Sequence, residues 1–230
     1  RFLGSWAGAF GQVQFMPGSF EWLAVDFDGD GRRDILHSPG DALASAANYL
    51  RRARWQPGGS WGMEVRLPPG FSGRGEGRKI QRPLSVWHTR GVQRVDGAPL
   101  VRAGQSPATK AGLHLPAGPN GPAFLVRENF GAVYRYNASE AYTLAIVHLA
   151  DRLRGGAPFV TPWPTDDLGL SRADRRELQR LLASRGHDIG APSGVLTVRT
   201  REAVKAEQLR IGHAVTGRPG QRLLRALREP

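Results

Sequence analysis

The chain has 230 residues, a formal net charge of +12, 40% hydrophobic residues and no cysteine. This length fits one large domain, or one domain followed by a small second one. The lack of cysteine excludes a disulfide framework and a thiolate site, and no apolar run in the sequence is long enough to cross a bilayer.

The first section, residues 1–55, is predicted to be helical with one inserted loop. Pro17–Leu23 suits a helix that begins at the proline, because the first helical N–H has no partner within the helix in any case. A second helix is predicted from Ala42 to Arg54, with Asp41 as its N-cap. Its apolar face, read from helical spacing, consists of Leu43, Ala46, Ala47 and Leu50.

Residues 56–130 change to a β pattern. Residues 61–68 alternate apolar and polar side chains, as a strand with one buried face does, and the Pro-Pro-Gly run at 68–70 ends that strand. Two apolar runs, at 113–116 and 123–127, flank a Gly/Pro/Asn turn, which predicts a hairpin with a long loop. We therefore expect a small antiparallel sheet in this section.

A further helix is predicted over residues 137–154. Either Asn137 or Ser139 is a suitable N-cap, and the Gly-Gly pair at 155–156 ends the helix. The apolar residues that share one face of it are Tyr142, Ala145, Ile146 and Leu149.

Residues 161–167 are predicted to form a linker, because the prolines in Thr161-Pro162-Trp163-Pro164-Thr165 stiffen the backbone. Three short helices are predicted to follow. The first begins at Ser171 with Asp174, the second is capped by Thr200, and the third carries Leu223, Leu224 and Leu227. The predicted organisation is thus a domain at 1–160, the linker at 161–167 and a small domain at 168–230.

An acidic loop at residues 26–34 has the spacing of a site for a hard divalent cation. Carboxylates occupy the first, third, fifth and ninth positions, Gly31 the sixth, and Arg32 offers its backbone carbonyl at the seventh. The twelfth position is His37, a poor calcium ligand, so Asp41 is predicted to close the site. The predicted ligands of a structural Ca²⁺, with Na⁺ as a replacement, are Asp26, Asp28, Asp30, Arg32, Asp34 and Asp41. A solvated acidic turn is the alternative.

The stretch at residues 5–17 combines small residues with polar and aromatic ones. Ser5, Gly8 and Gly11 allow another chain to approach the backbone closely, and Gln14 offers both a donor and an acceptor. Together with the flat apolar surface of Trp6, this mixture suits a sugar, whose edges are polar and whose faces are apolar. A tight contact between helices is the alternative.

Several blocks of the chain resemble, in order, the membrane-bound lytic transglycosylase B family. They are Gly4–Ala9, Gln14–Pro17, Ala24–Gly31, Ala47–Leu50, Gly121–Leu125, Asn129-Phe130 and Arg135–Ser139. The resemblance implies an α+β fold, mainly α: a lysozyme-like transglycosylase domain with a small antiparallel β section and an EF-hand-like loop. It also implies that Ser5, Gln14, Tyr136 and Asn137 bind substrate.

The activity that the resemblance implies is cleavage of the β-1,4 bond between N-acetylmuramic acid and N-acetylglucosamine in peptidoglycan. One glutamic acid protonates the glycosidic oxygen and then acts as base on the muramic C6 hydroxyl, which closes a 1,6-anhydro ring without water. In the family this residue precedes the block at Ser5 by several tens of residues. We therefore expect that the N-terminal part of the domain is missing, that no catalytic residue lies in this chain, and that the fragment alone is inactive. The glutamates at 21, 64, 128 and 140 are interpreted as solvated or capping residues.

The C-terminal section resembles a three-helix peptidoglycan-binding domain. It departs from that family at Pro192–Gly194, at Thr197 and at Glu207, so whether it binds glycan is left open. Only three of the 32 basic residues are lysine, the arginines are scattered and no nucleic-acid-binding motif accompanies them. The expected partners are therefore peptidoglycan glycan strands and no nucleic acid.

The resemblance further implies a monomer without an organic cofactor. Its expected place is the periplasm, or association with the outer membrane, of a Gram-negative bacterium. The alternative function is a peptidoglycan-binding protein that does not cut the glycan.

Overall fold

The computed structural model describes residues 4–71, 73–118, 120–164 and 166–229. Within them lie eight helices and five strands, with the helices in the majority. The predicted α+β, mainly α, fold class is confirmed. Thr165, predicted to belong to the linker, lies outside the described residues.

The elements follow one another in a largely helical order. The helices are α1 (Pro17–Leu23), α2 (Pro39–Arg52), α3 (Leu84–Thr89), α4 (Glu128–Tyr136), α5 (Glu140–Leu153), α6 (Arg172–Ser184), α7 (Val198–Arg210) and α8 (Gln221–Arg228). The strands are β1 (Gly62–Arg66), β2 (Arg82–Pro83), β3 (Gln93–Arg94), β4 (Lys110–His114) and β5 (Ala123–Val126).

The chain packs as two compact units, each described here by itself. The first comprises residues 1–63 and 126–158, and the second comprises residues 64–125 and 159–230. The first unit contains α1, α2, α4 and α5, whereas the second contains α3, most of the sheet and the last three helices.

The first unit has a small core that includes the turn at residues 10–15. Its buried residues are Phe10, Phe15, Ile35 and Ala42, and the ring of Tyr136 packs against them. Because α1 and α2 both meet this cluster, the core fixes the opening turn relative to the two helices.

Three predicted features of the helices in the first unit are wrong. The N-cap of α2 is Ser38, whose hydroxyl accepts from the N–H of Asp41, because Pro39 already supplies a favourable first helical residue. The predicted apolar face of α2 is not the buried one, since Leu43 is 70% exposed and the buried residues are Asp41, Ala42 and Ser45.

The same error occurs in α5. Ser139 caps this helix by accepting from the N–H of Tyr142, which leaves Asn137 as the C-cap of α4. The residues of α5 that are buried are Thr143, Leu144 and Val147, whereas Leu149 on the predicted face is 54% exposed. In both α2 and α5, helical spacing identified an apolar face but not the face that packs against the rest of the unit.

The second unit contains most of the sheet, whose strand order is β2-β4-β5-β1-β3. The two edge pairings are antiparallel, with Val65 opposite Arg94 and Arg82 opposite Ala111. All four residues of β5 are buried, which explains why that strand is a continuous apolar run.

The same unit ends in three helices around a core of their own. The buried side chains of this core are Leu178, Leu182, Ile189, Ala203, Val204, Leu223, Leu224 and Leu227. Ser171 and Asp174 form the capping box of α6, as predicted. The predicted cap of α7 is wrong. The cap is Thr197, whose hydroxyl accepts from the N–H of Thr200, and Thr200 lies fully buried in the first turn of the helix.

Candidate functional site

The residues that the sequence suggests for sugar binding lie in a tight turn of the first unit. Phe10 and Phe15 exchange two backbone hydrogen bonds of 2.9 and 3.0 Å, and Gly4 forms a second bridge with Phe10. Gly11 has a φ of +73°, and a Cβ there would lie 2.7 Å from the carbonyl oxygen of Ile35. The turn therefore requires glycine at position 11 because the chain approaches Ile35 so closely.

Ser5 lies at the start of this turn and is exposed. Its hydroxyl oxygen accepts from the N–H of Ala9 at 3.0 Å, and its own N–H donates to the carbonyl of Ala9 at 2.7 Å. A hydroxyl oxygen that accepts one bond keeps its own proton, so Ser5 can still donate to a ligand. Trp6 beside it is fully exposed, at 101% of its reference surface.

Gln14 lies at the other end of the turn in a strained backbone conformation. Its φ is +49°, in the left-handed region that side chains other than glycine seldom adopt. The exposed side chain donates from Nε2 to the carbonyl of Gly11 at 3.0 Å. No residue that the structure describes donates to Oε1, which therefore remains available as an acceptor.

Tyr136, at the end of α4, fastens this turn. Its hydroxyl donates to the carbonyl of Val13 over 2.5 Å, and its ring lies 4.8 Å from that of Tyr49 and 6.0 Å from that of Phe15. Burial, with smaller contributions from neighbouring tyrosines, raises the pKa of Tyr136 to about 12. The phenol therefore stays protonated at neutral pH and keeps its role as a donor.

Asn137 follows directly, exposed at the end of α4, where its N–H donates to the carbonyl of Val133. Of the four predicted substrate-binding residues, the structure thus places Gln14 and Tyr136 together through the backbone of Val13. Ser5 is joined to them by the bridges at Gly4, Phe10 and Phe15. The binding role of all four stays a prediction.

The acidic loop folds around its own carboxylates. Asp26 accepts from the N–H groups of Gly29 and Gly31 at 2.7 and 2.9 Å. Asp28 accepts weakly from Asp30 at 3.3 Å, and Asp30 accepts from Arg32 at 2.8 Å. These bonds turn the loop back on itself and gather the carboxylates on one side.

Asp41 closes the loop from α2 and is only 1% exposed. One of its oxygens accepts from the N–H of Phe27 at 2.8 Å and the other from the N–H of Asp34 at 2.7 Å. Carboxylate oxygens of Asp26, Asp28 and Asp41 lie within 4.8 Å of one another. Among the described residues, no lysine or arginine pairs with any of these three carboxylates.

This donor set fits a hard cation. Three carboxylates and nearby backbone carbonyls are the ligands that Ca²⁺ prefers, and a cation would relieve the repulsion among them. Asp34 instead accepts from the N–H groups of Leu36 and His37, hydrogen bonds that, with the His37 side chain, hold its pKa below the ordinary value. Direct ligation by Asp30, Arg32 and Asp34 stays a prediction.

Four of the described glutamates, at positions 64, 76, 128 and 207, are engaged in hydrogen bonds or ion pairs. Both oxygens of Glu64 accept backbone N–H groups, from Val160 at 2.8 Å and Thr161 at 2.7 Å. Glu128 is exposed and pairs with Arg135 at 3.2 Å. The buried Glu76 is held by Arg82 and Arg90; its pKa is lowered because these bonds outweigh burial, the opposite of what an acid catalyst needs.

In the C-terminal helices, Glu207 is also buried and engaged. His187 contacts it at 2.9 Å, and Arg210 donates to it at 2.8 Å. Burial raises the pKa of Glu207, but the bonds from Arg210 and His187 outweigh burial and lower it overall. His187 therefore holds its loop against α7 through Glu207.

Two family models match the chain. A transglycosylase SLT domain matches residues 1–151, and a putative peptidoglycan binding domain matches residues 171–227. The chain is similar to a protein named membrane-bound lytic murein transglycosylase B from Escherichia coli strain K12, with 33% identity over 158 residues. That alignment covers 64% of this chain and 38% of the relative.

Two solved structures are also similar. The crystal structure of SltB3 from Pseudomonas aeruginosa in complex with NAG-anhNAM-pentapeptide has 52% identity and a TM-score of 0.87, covering 99% of this chain and 60% of that one. The Escherichia coli lytic transglycosylase Slt35 in complex with calcium has 31% identity and a TM-score of 0.54, covering 66% and 46%. The chain thus spans less than two thirds of the length of these relatives.

Proposed function

The chain belongs to the transglycosylase SLT domain family, and on that premise we propose that it is the glycan-binding portion of a lytic murein transglycosylase. The reaction is non-hydrolytic cleavage of the β-1,4 bond between N-acetylmuramic acid and N-acetylglucosamine. We divide the protein into a transglycosylase domain at 1–160, a linker at 161–167 and a wall-binding module at 168–230. Its partners are peptidoglycan glycan strands.

The observation that carries this proposal is the turn at residues 4–15. It holds Gln14 in a strained conformation, with the amide exposed and Oε1 open, while Tyr136 fastens the same turn from α4. Backbone strain of this kind costs about 1–3 kcal/mol and persists where surrounding contacts enforce it, as they do at many ligand sites. A sugar hydroxyl donates well to such an oxygen, and the exposed Trp6 provides an apolar face nearby.

The reaction needs one carboxylic acid. Its proton passes to the glycosidic oxygen as the C1–O bond breaks, and the resulting carboxylate takes the proton of the muramic C6 hydroxyl as O6 bonds to C1. No water is consumed, so the product is a 1,6-anhydro sugar, unlike the products of two-carboxylate glycosidases. In this scheme Ser5, Gln14, Tyr136 and Asn137 bind and orient the sugar, and the acid is supplied by a glutamate other than those described here.

The acidic loop serves the same site indirectly. We assign it a structural Ca²⁺, with Na⁺ as a replacement, held by Asp26, Asp28 and Asp41 and completed by further oxygens of the loop. When bound, the ion neutralises the cluster and ties the segment after α1 to the start of α2. Because both helices pack on the core beneath the opening turn, the ion stabilises the substrate site without entering the chemistry.

The proposed location is the periplasm or the outer membrane of a Gram-negative bacterium, where murein lies. Among the described residues, no helix has both the length and the apolar character that a bilayer crossing requires. We propose that the protein acts as a monomer.

The test is incubation of the 230-residue chain with purified murein sacculi, followed by sedimentation and mass spectrometry of the soluble products. We expect the chain to sediment with the sacculi and to release no 1,6-anhydro muropeptides. Release of these products would show that the proton donor lies within the chain. A chain that stays in the supernatant would refute glycan binding.

A rival function is a peptidoglycan-binding protein that does not cut the glycan. The observation in its favour is that the glutamates at positions 64, 76, 128 and 207 are engaged in hydrogen bonds or ion pairs. Both functions predict binding, and the full-length protein distinguishes them: a transglycosylase releases 1,6-anhydro products from sacculi, and a binding protein releases none.

A further inference from the structure

A cavity of about 410 Å³ lies within the second unit. Three segments of that unit line it: the loop before β5, the residues Pro164, Asp166 and Asp167, and the part of the chain from the end of α7 to the start of α8. The residues that matter for its chemistry are Asn120, Asp166, Asp167, His213, Arg218 and Arg222. Its volume falls in the range of pockets that bind small ligands.

The wall on the α7 side is rigidly built. Gln208 is 5% exposed, and its carbonyl oxygen accepts from the N–H groups of Thr216 and Gly217 at 2.9 Å each. Its amide nitrogen donates to Thr216 and to the carbonyl of Arg218. One buried side chain thus satisfies four groups of the loop that lines the cavity, so the loop has a defined shape before any ligand binds.

The cavity also contains a cation whose charge is not balanced by a direct partner. The half-buried guanidinium of Arg218 donates to two neutral carbonyls, those of Pro164 and Asp167, at 3.1 Å each. Within the described residues no carboxylate pairs with Arg218. Arginine has five N–H donors in a fixed plane, so donors remain for an anion in the cavity.

A second cation beside it can be released at small cost. Arg222 pairs with Asp166 at 3.0 Å, but both side chains are about 60% exposed, at 59% and 61%. An exposed pair of this kind contributes little to stability. The lining also includes the carboxylates of Asp166 and Asp167, and one oxygen of Asp167 accepts from the N–H of Arg222 at the start of α8. An incoming anion therefore competes with Asp166 for Arg222, and in Arg218 it meets a guanidinium group without a paired carboxylate.

The lining favours a peptide end over a sugar. None of its described residues is Trp, Tyr or Phe, so the cavity lacks the flat apolar surface on which a sugar ring stacks. An uncharged acetylated sugar would also leave Arg218 without a counter-charge. In a glycan that carries a stem peptide, the free carboxylates belong to the peptide.

We propose that this cavity binds the terminal carboxylate of a peptidoglycan stem peptide through Arg218 and Arg222. The proposal rests on the proposed function only for the identity of the polymer, since the cavity and its charges belong to the second unit. Its consequence is that the loop before β5 and the C-terminal helices together recognise the peptide, while the turn at residues 4–15 recognises the glycan.

The test is a titration of the 230-residue chain with two free pentapeptides of the stem sequence, one with a C-terminal carboxylate and one with a carboxamide, followed by NMR of the histidine rings. We expect the carboxylate peptide to shift the His213 resonance saturably and to bind about tenfold or more tightly than the carboxamide, because a charge-assisted hydrogen bond is lost in the latter. Equal affinities, or an unmoved His213 signal, would overturn the proposal.

A matched pair of variants supplies a second, independent arm. Ala214 is exposed and lines the cavity, so Ala214→Glu places a negative charge and extra bulk there without removing any bond. Ala183→Glu makes the same change on the exposed part of α6. Peptide affinity should fall about tenfold in the first variant and stay unchanged in the second; an unaffected Ala214→Glu variant would contradict the proposal.

The failure of this inference is distinguishable from failure of the proposed function. The disaccharide NAG-NAM without a peptide is titrated in parallel. If the disaccharide binds and the pentapeptide does not, the cavity assignment is wrong and glycan binding stands. If only the pentapeptide binds, the cavity assignment stands and glycan binding by the turn is wrong.

Discussion

The variant Tyr136→Phe should lower both the Tm and the affinity for glycan, because it removes the hydrogen bond from Tyr136 to the carbonyl of Val13. The variant keeps the ring contacts with Tyr49 and Phe15 and removes one hydrogen bond. A neutral hydrogen bond contributes about 1 kcal/mol, and Val13 is only partly buried, so water replaces part of the loss. For a chain of this length, about 1 kcal/mol corresponds to a fall in Tm of about 2–4 °C.

The effect on glycan affinity follows from the strain at Gln14. Its left-handed backbone costs about 1 kcal/mol or more, which is comparable with the bond that Tyr136→Phe removes. Loss of about 1 kcal/mol raises the ratio of molecules with the turn released to those with it formed by about fivefold, so the affinity for glycan should weaken by no more than about fivefold. A loss far larger than this would mean that the hydroxyl contacts the sugar directly.

Calorimetric melting and a titration with NAG-NAM oligosaccharide measure the two effects. Tyr142→Phe is the matched control, because Tyr142 is 37% exposed at the start of α5 and its hydroxyl bonds to no described residue. If Tyr136→Phe melts and binds like the wild type, the account of how the turn is held is refuted.

The remaining predictions concern the strained residue, the ion and two titrating groups. Gln14→Gly should raise Tm, because glycine accepts a φ of +49° without strain, yet weaken glycan binding; a lower Tm would contradict the strain argument. Calcium should raise Tm relative to EDTA, and Asp28→Asn should reduce that rise while leaving the Tm in EDTA nearly unchanged, because Asp28 is exposed; identical melts with and without calcium would exclude the ion. The pKa of Tyr136 is raised to about 12 from 10.0. Because the unfolded chain loses this proton at a lower pH than the folded chain, the free energy of unfolding falls between pH 10 and 12. Chemical denaturation should show a smaller fall over that interval for Tyr136→Phe. The lowered pKa of Glu207 has the opposite effect on stability. Its contribution to the free energy of unfolding is present above the ordinary glutamate pKa and is lost as the pH falls below it. Glu207→Gln should therefore make the free energy of unfolding depend less on pH in the acid range.

The sequence predicted local structure well where a single residue determines it. Pro17 begins α1, and Ser171 with Asp174 begins α6, because each supplies its own geometry or hydrogen bond within one turn. The predicted N-cap of α2 was wrong for a related reason: Ser38 directly precedes Pro39, the first helical residue, and is itself a good N-cap. Asp41, which does not cap the helix, is instead the buried carboxylate that accepts from two N–H groups of the acidic loop.

What the sequence could not predict depends on which surfaces pack. The apolar stripe on α5 was visible, but Leu149 is exposed and Val147 is buried, since periodicity reports an apolar face and not its neighbour. Helix α4 was missed because its nine residues fall between a predicted hairpin and a predicted helix, and its glycine at 131 lowers its helix propensity.

The candidate site was predicted in part by spacing and in part by resemblance. The positions of Asp26 and Asp28 followed from the loop pattern, and closure by Asp41 followed from the unsuitable His37. The link from Tyr136 to Val13, 123 residues apart along the chain, leaves no local signal in a single sequence. The cavity beside Arg218 had none either, because three distant segments form it.

The central claim is that the turn at residues 4–15 binds glycan through Gln14. The most direct measurement is the affinity of the 230-residue chain for a NAG-NAM tetrasaccharide by isothermal titration calorimetry, compared with Gln14→Ala and Gln56→Ala. Gln56 is the control, since it is also exposed and its side-chain amide donates to the nearby carbonyl of Arg54 at 3.2 Å. We predict saturable binding that weakens about tenfold in Gln14→Ala and is unchanged in Gln56→Ala; no saturable binding, or equal affinities in all three proteins, would contradict the claim.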